Sequence, residues 1–163
     1  MQPTRLVVLA WGNESRGDDG LGPAFLARAE ALPDPAGVES TFVADFQLQP
    51  EHAVDLDGRD LVLFVDASRA AEPPYVLRRI EPARSATFTT HGVAPGVVLA
   101  AFEATFGRAP PPAFELAIRG ESFDLGEPLG EPARLCLEEA LALFAALRAN
   151  ASAVAWQGMV RGT

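Results

Sequence analysis

The sequence predicts an α/β domain in which helices cover both faces of a largely parallel sheet. Three observations carry this expectation. Residues 5–11 and 60–66 are short apolar runs without polar alternation, the pattern of strands buried on both faces. Stretches with apolar residues at helical spacing alternate with such runs along the chain, as in folds built from strand–helix–strand units. The length of 163 residues, 48% of them hydrophobic, suits one domain with a sizeable core and leaves little room for a second.

The first apolar run ends in a turn-rich segment, residues 12–20, before Leu21, Phe25, Leu26, Ala29 and Leu32 recur at helical spacing. Pro23 lies in the opening turn, where its missing N–H does no harm, and Pro33 and Pro35 stop the helix. Residues 38–44 supply a second strand and residues 50–56 a short helix. Residues 60–66 form the clearest strand. An Arg-bearing strand at 75–80 suits a sheet edge or leads into residues 86–89. Pro95, Val98, Leu99, Phe102 and Phe106 mark another helix, closed by Gly107 and the prolines at 110–112. A strand at 114–119 follows, and Pro132 opens a long last helix carrying Leu135, Leu141, Phe144 and Leu147. Residues 1–150 are expected to form the single domain, with 151–163 a loosely attached tail.

Composition restricts the function classes. The net charge is −9, from 22 acidic and 13 basic residues, all of the latter Arg. Such a balance works against nucleic-acid binding, which needs clustered cations for phosphate. No apolar run of about 18 residues is present to span a bilayer, and 6–11 is too short for the core of a signal peptide. One cysteine, Cys136, excludes an internal disulfide; it lies in an apolar helical pattern that suits burial rather than nucleophilic work. The expected location is the cytoplasm, and the expected state a monomer.

Candidate chemistry gathers at strand ends. In open parallel sheets, sites form beyond the carboxyl ends of the strands. The first strand runs into a loop holding Asn13, Asp18 and Asp19, and the clearest strand ends in Asp66. If the two are parallel neighbours, their acids face one crevice. Each acid also has a plain reading: Asp18 or Asp19 could cap the following helix, Asp66 could stabilise a turn, and Asn13 after Gly12 is a common turn former. His91 precedes a helix, where the dipole disfavours the imidazolium and so favours the neutral, metal-ligating form; the alternative is a satisfied loop histidine. The other histidine, His52, sits in a helical surface pattern. Two carboxylates and one imidazole would make a mixed oxygen and nitrogen site with open positions, suited to a first-row transition ion. His-Glu-x-x-His and Gly-x-Ser-x-Gly are both absent, so neither an ordinary zinc peptidase nor a serine elbow is indicated.

Three segments, in this order, resemble the hydrogenase maturation protease family. They are Ala10-Trp-Gly-Asn-Glu-Ser-Arg-Gly-Asp-Asp-Gly-Leu-Gly22, Leu63-Phe-Val-Asp-Ala67 and Thr90-His-Gly-Val-Ala-Pro-Gly-Val-Val-Leu99. The chain departs from the family pattern at Ala10, where the first Gly of the motif stands, and carries Asp18-Asp19 where some members have Asp-Glu. The resemblance implies a three-layer sandwich, with a twisted, mostly parallel five-stranded sheet between helices. It implies an endopeptidase that removes the C-terminal extension of a nickel–iron hydrogenase large-subunit precursor after nickel insertion. Carried over by position, Asp19, Asp66 and His91 would be both the catalytic residues and the nickel ligands, with the nickel supplied by the precursor, and Asn13 and Asp18 would shape the loop. Asp45-Phe-Gln-Leu-Gln-Pro-Glu-His52 further resembles the branch serving NAD-linked soluble hydrogenases. The rival readings are a non-catalytic metal-binding chaperone docking on the precursor and a phosphate-binding loop at 12–22. The acids Glu14, Asp18 and Asp19 oppose the second.

Overall fold

The apolar runs form the middle of one sheet. A computed structural model describes residues 2–84, 88–89 and 92–161. Its elements are β1 (Thr4–Trp11), α1 (Leu21–Glu30), β2 (Val38–Asp45), β3 (Leu61–Ser68), β4 (Tyr75–Ile80), β5 (Phe88–Thr89), β6 (Gly92–Val93), α2 (Pro95–Phe106), β7 (Ala113–Arg119), α3 (Glu131–Ala149) and α4 (Ala153–Gln157). Short 3-10 segments occupy Gly17–Gly20 and Pro50–Leu56. None of the described helices is long and apolar enough to cross a membrane.

The five-stranded sheet has the order β2-β1-β3-β7-β4; all neighbours are parallel except β4, which runs antiparallel to β7. Residues 6–11 of β1 and 61–65 of β3 are buried on both faces, which is why these runs show no alternation. On one face Leu6, Val8, Leu63 and Val65 pack against α1 and α3 through Phe25, Phe144 and Leu147. On the other, Val7, Leu9 and Phe64 meet Val98 and Phe102 of α2 and Leu56 of the 3-10 segment. The result is the expected three-layer, mostly parallel architecture. The edge position of 75–80 is the one β4 takes, with Arg78 and Arg79 exposed.

The chain leaves β1 for β2 on one side and later places β3 on the other, so the strand order reverses between β1 and β3. The β1–β3 ladder ends at Ala10 opposite Val65. Beyond that pair the strands part, and the crevice opens between Trp11 and Asp66, where doubly wound sheets place their ligands.

Several local expectations are corrected. The segment after residue 150 is no loose tail. Trp156 of α4 is fully buried, stacks edge-to-face on Phe114 with 5.4 Å between centroids, and donates its indole N–H to the Leu147 carbonyl at 2.8 Å. Arg161 then exchanges two backbone hydrogen bonds, each of 2.9 Å, with Leu77 of β4. His52 is buried rather than solvated: its Nδ1 accepts the Gln49 N–H at 2.8 Å and its Nε2 lies 3.0 Å from Asp45 Oδ2. Leu32 falls beyond the end of α1 and Leu135 lies on the outer face of α3, and both are exposed.

Candidate active site

The loop after β1 divides its two acids between different tasks. Gly12 opens it at φ +147°, and a Cβ there would lie 2.0 Å from the Asp19 carbonyl oxygen, so only glycine permits this crossing. Asn13 accepts the Ser15 N–H on its side-chain oxygen at 2.9 Å, forming the tight turn expected of it. The Asn13 N–H in turn donates to Asp19 Oδ2 at 2.7 Å, which fixes the carboxylate at the crevice.

Asp18 turns the other way, into the protein, where it is almost fully buried. Its Oδ2 accepts the N–H groups of Glu121 and Ser122 at 2.7 and 3.0 Å, and its Oδ1 that of Gly130 at 2.9 Å. Burial acts to raise its pKa, but the three N–H donors outweigh it and hold the carboxyl below its ordinary value. Backbone bonds from Gly17 to Glu127, from Asp18 to Ser122 and from Gly126 to Ser15 complete the seam between the two loops. Neither acid caps α1, whose N-cap is Gly20 without a side-chain bond. The Asp18 side chain thus ties the loop after β1 to the segment 121–130.

Asp66 reaches the crevice from β3, with its Oδ1 accepting the Ala67 N–H at 2.8 Å. Burial pushes its pKa up to about 8. The charges of Asp19 and Glu115 act in the same direction, and the Ala67 N–H and the Trp11 side chain offset only part of the rise. At neutral pH Asp66 is therefore a carboxylic acid beside an ionisable neighbour, an arrangement able to hold one proton at the crevice.

Asp19 and Asp66 share a cleft of about 840 Å³ with Asn13, Arg16, Phe46, Arg69 and Phe123. The third expected ligand, His91, lies outside the described residues. Among the described residues no three His, Cys, Asp or Glu converge as a metal site. The carboxylate pair thus offers oxygen donors and proton transfer, and any further donor must come from elsewhere. Cys136 is buried on α3 away from the cleft, its thiol pushed up by burial.

Sequence reasoning passed over Arg16, Arg69 and Phe123. No motif marks residue 123: its place in the cleft comes from backbone groups binding Asp18, which any side-chain sequence can supply.

The fold that carries the β1-loop acid and the β3 acid is already known from solved structures. The NiFe hydrogenase maturation protease HycI from Thermococcus kodakarensis superposes with a TM-score of 0.68 at 22% identity, covering 89% of this chain and 92% of that one. The chain has the hydrogenase maturation protease fold. The hydrogenase maturating endopeptidase HybD from E. coli matches with a TM-score of 0.67 at 24% identity, over 90% of this chain and 94% of its own. A hydrogenase 2 maturation peptidase from a Thaumarchaeota archaeon matches with a TM-score of 0.61 at 22% identity, over 90% and 97%. No family model matches the sequence, and no curated protein matches it. At these identities the kinship is one of fold.

Proposed function

We propose that the chain is a hydrogenase maturation endopeptidase. It hydrolyses one peptide bond of a nickel-loaded, nickel–iron hydrogenase large-subunit precursor and so removes the precursor's C-terminal extension. The observation that carries this reading is the convergence of Asp19 and Asp66 in one cleft, at the strand reversal of a fold shared with maturation proteases.

Asp19, Asp66 and His91 meet the substrate's nickel, and the precursor completes the ligand set. Asp19 is held ready by the Asn13 N–H. Asp66, protonated at neutral pH, releases its proton on meeting a cation, because a carboxylate ligates only in its ionised form. Water attacks the scissile carbonyl, polarised by the metal or by a carboxylate of the pair. The protein acts as a monomer in the cytoplasm, and the substrate segment enters as a peptide rather than as nucleic acid or lipid.

Mass spectrometry of the nickel-loaded precursor, with and without the protein, tests the reading. Wild type is expected to shorten the precursor once, and Asp19→Ala, Asp66→Ala and His91→Ala to lose at least ~100-fold in rate. An unchanged precursor mass with wild type would favour a non-catalytic chaperone; full activity in Asp19→Ala would remove that residue's role.

A further inference from the structure

Two arginines share the cleft with the acid pair, Arg16 from the loop after β1 and Arg69 from just beyond β3. Seven of the 13 arginines have no Asp or Glu oxygen within 4.0 Å of the guanidinium among the described residues, and of these Arg16 and Arg69 line the cleft. Six arginines elsewhere lie within 4.0 Å of Asp or Glu. Among the described residues neither Arg16 nor Arg69 has such a partner, although Asp19, Asp66 and Asp124 line the same cleft.

Both arginines stand on fixed supports. The Arg16 N–H donates to the Asn13 carbonyl and its own carbonyl accepts the Asp19 N–H, each at 3.1 Å. The Arg69 guanidinium lies 4.7 Å from the ring centroid of Phe123, whose loop is pinned by Asp18. Stacking uses the face of the guanidinium and leaves its in-plane N–H edge to bind an oxygen pair. Exposed Phe46 and half-buried Phe123 add apolar surface beside these cations. A cleft of this size takes a short extended segment, not a folded partner.

We infer that Arg16 and Arg69 form a clamp for a carboxylate of the bound peptide, setting the register of the chain across Asp19 and Asp66. The clamp deepens the processing reading and rests on it for the identity of the peptide. A singly charged carboxylate suits the two cations, whereas a phosphate dianion meets repulsion from the cleft's own acids. The carboxylate comes either from an acidic side chain or from the peptide's C-terminus.

The test uses short fluorescent peptides tiling the C-terminal end of a hydrogenase large-subunit precursor, titrated with the full-length protein by fluorescence anisotropy. Each tile is made as the free acid, as the C-terminal amide and with its Asp and Glu replaced by Asn and Gln. At least one tile is expected to bind, more weakly as salt rises, and to lose roughly tenfold in affinity with Arg16→Gln or Arg69→Gln. Arg→Lys at either position should recover only part of the loss, since it keeps the charge but not the fork. Loss on amidation assigns the terminal carboxylate, and loss on Asp and Glu replacement assigns a side chain. Both arginines are exposed, so thermal melts of the variants should match wild type. Binding indifferent to both peptide changes, binding unaltered in both glutamine variants, or no tile bound by wild type overturns the clamp. Precursor cleavage is scored separately by mass: carboxylate-dependent binding without cleavage keeps the clamp and discards the protease.

Discussion

The Asp18 carboxylate accepts the Gly130 N–H at 2.9 Å, joining the loop after β1 to the segment that leads into α3. The same side chain takes two further N–H groups, so one residue holds the Asp19 wall of the cleft against the Phe123 wall. Asp18→Ala leaves three backbone donors without their charged acceptor and is expected to cost about 3 kcal/mol or more in urea unfolding. Asp18→Asn should recover only part, because its NH2 faces a donor on one side. The pH dependence has a definite sign. The folded-state pKa is depressed, so this stability is present above the unfolded carboxyl pKa and is lost as pH falls through the folded value. Wild type should lose more stability than Asp18→Asn on acidification, and equal losses would refute the assignment.

How much of this was legible follows from what each feature depends on. The buried strands were readable because burial on both faces leaves an unbroken apolar run, as in 61–65, all of whose residues are buried. Asp19 and Asp66 were readable as candidates because parallel neighbours bring their carboxyl ends together. Which of Asp18 and Asp19 faces the cleft was not: adjacent acids are equivalent as letters, and the choice is made by N–H groups more than 100 residues away. Trp156, within the tail expected at 151–163, is not legible as a core residue for a similar reason. Its partners, Phe114 and the Leu147 carbonyl, belong to tertiary packing that a short polar-flanked segment does not announce. His52 looked solvated because its partner Asp45 lies in another element.

Gly12→Ala is predicted to damage the site more than the fold. The added methyl would meet the Asp19 carbonyl at 2.0 Å, and the backbone conformation at φ +147° is itself unfavourable for alanine. The loop must shift, and Asp19 loses the Asn13 N–H that positions it. A stability loss of about 1–3 kcal/mol and a fall in precursor cleavage of at least ~100-fold are expected. Wild-type cleavage rates in this variant would show that loop placement is not limiting.

Truncation after residue 150 is predicted to destabilise the domain strongly, since it uncovers Phe114 and removes the Arg161 bridge to β4. Trp156→Ala alone should cost about 3–5 kcal/mol in chemical denaturation, the range for deleting a large buried aromatic. Trp156→Phe keeps the ring contact but strands the Leu147 carbonyl, and should lie between wild type and Trp156→Ala. A variant cut at 150 with the wild-type melting temperature would restore the view of this segment as an appendage.

Asp66 sets the opposite pH slope to Asp18. Its folded pKa of about 8 exceeds the value near 3.9 expected of an unfolded Asp. Below pH ~4 both states are protonated and the group has no effect on stability. Between ~4 and ~8 the unfolded chain ionises while the folded protein keeps the proton, so stability falls as pH rises, by at most about 1.4 kcal/mol per pH unit. Partial solvent access to Asp66 makes the observed slope smaller. Asp66→Asn abolishes this contribution, so relative to wild type the variant should gain stability from pH 4 to pH 8 and hold the gain above it. Denaturation midpoints of the two proteins, measured across that range at fixed ionic strength, give the comparison directly. Parallel curves would mean that Asp66 ionises freely in the folded state.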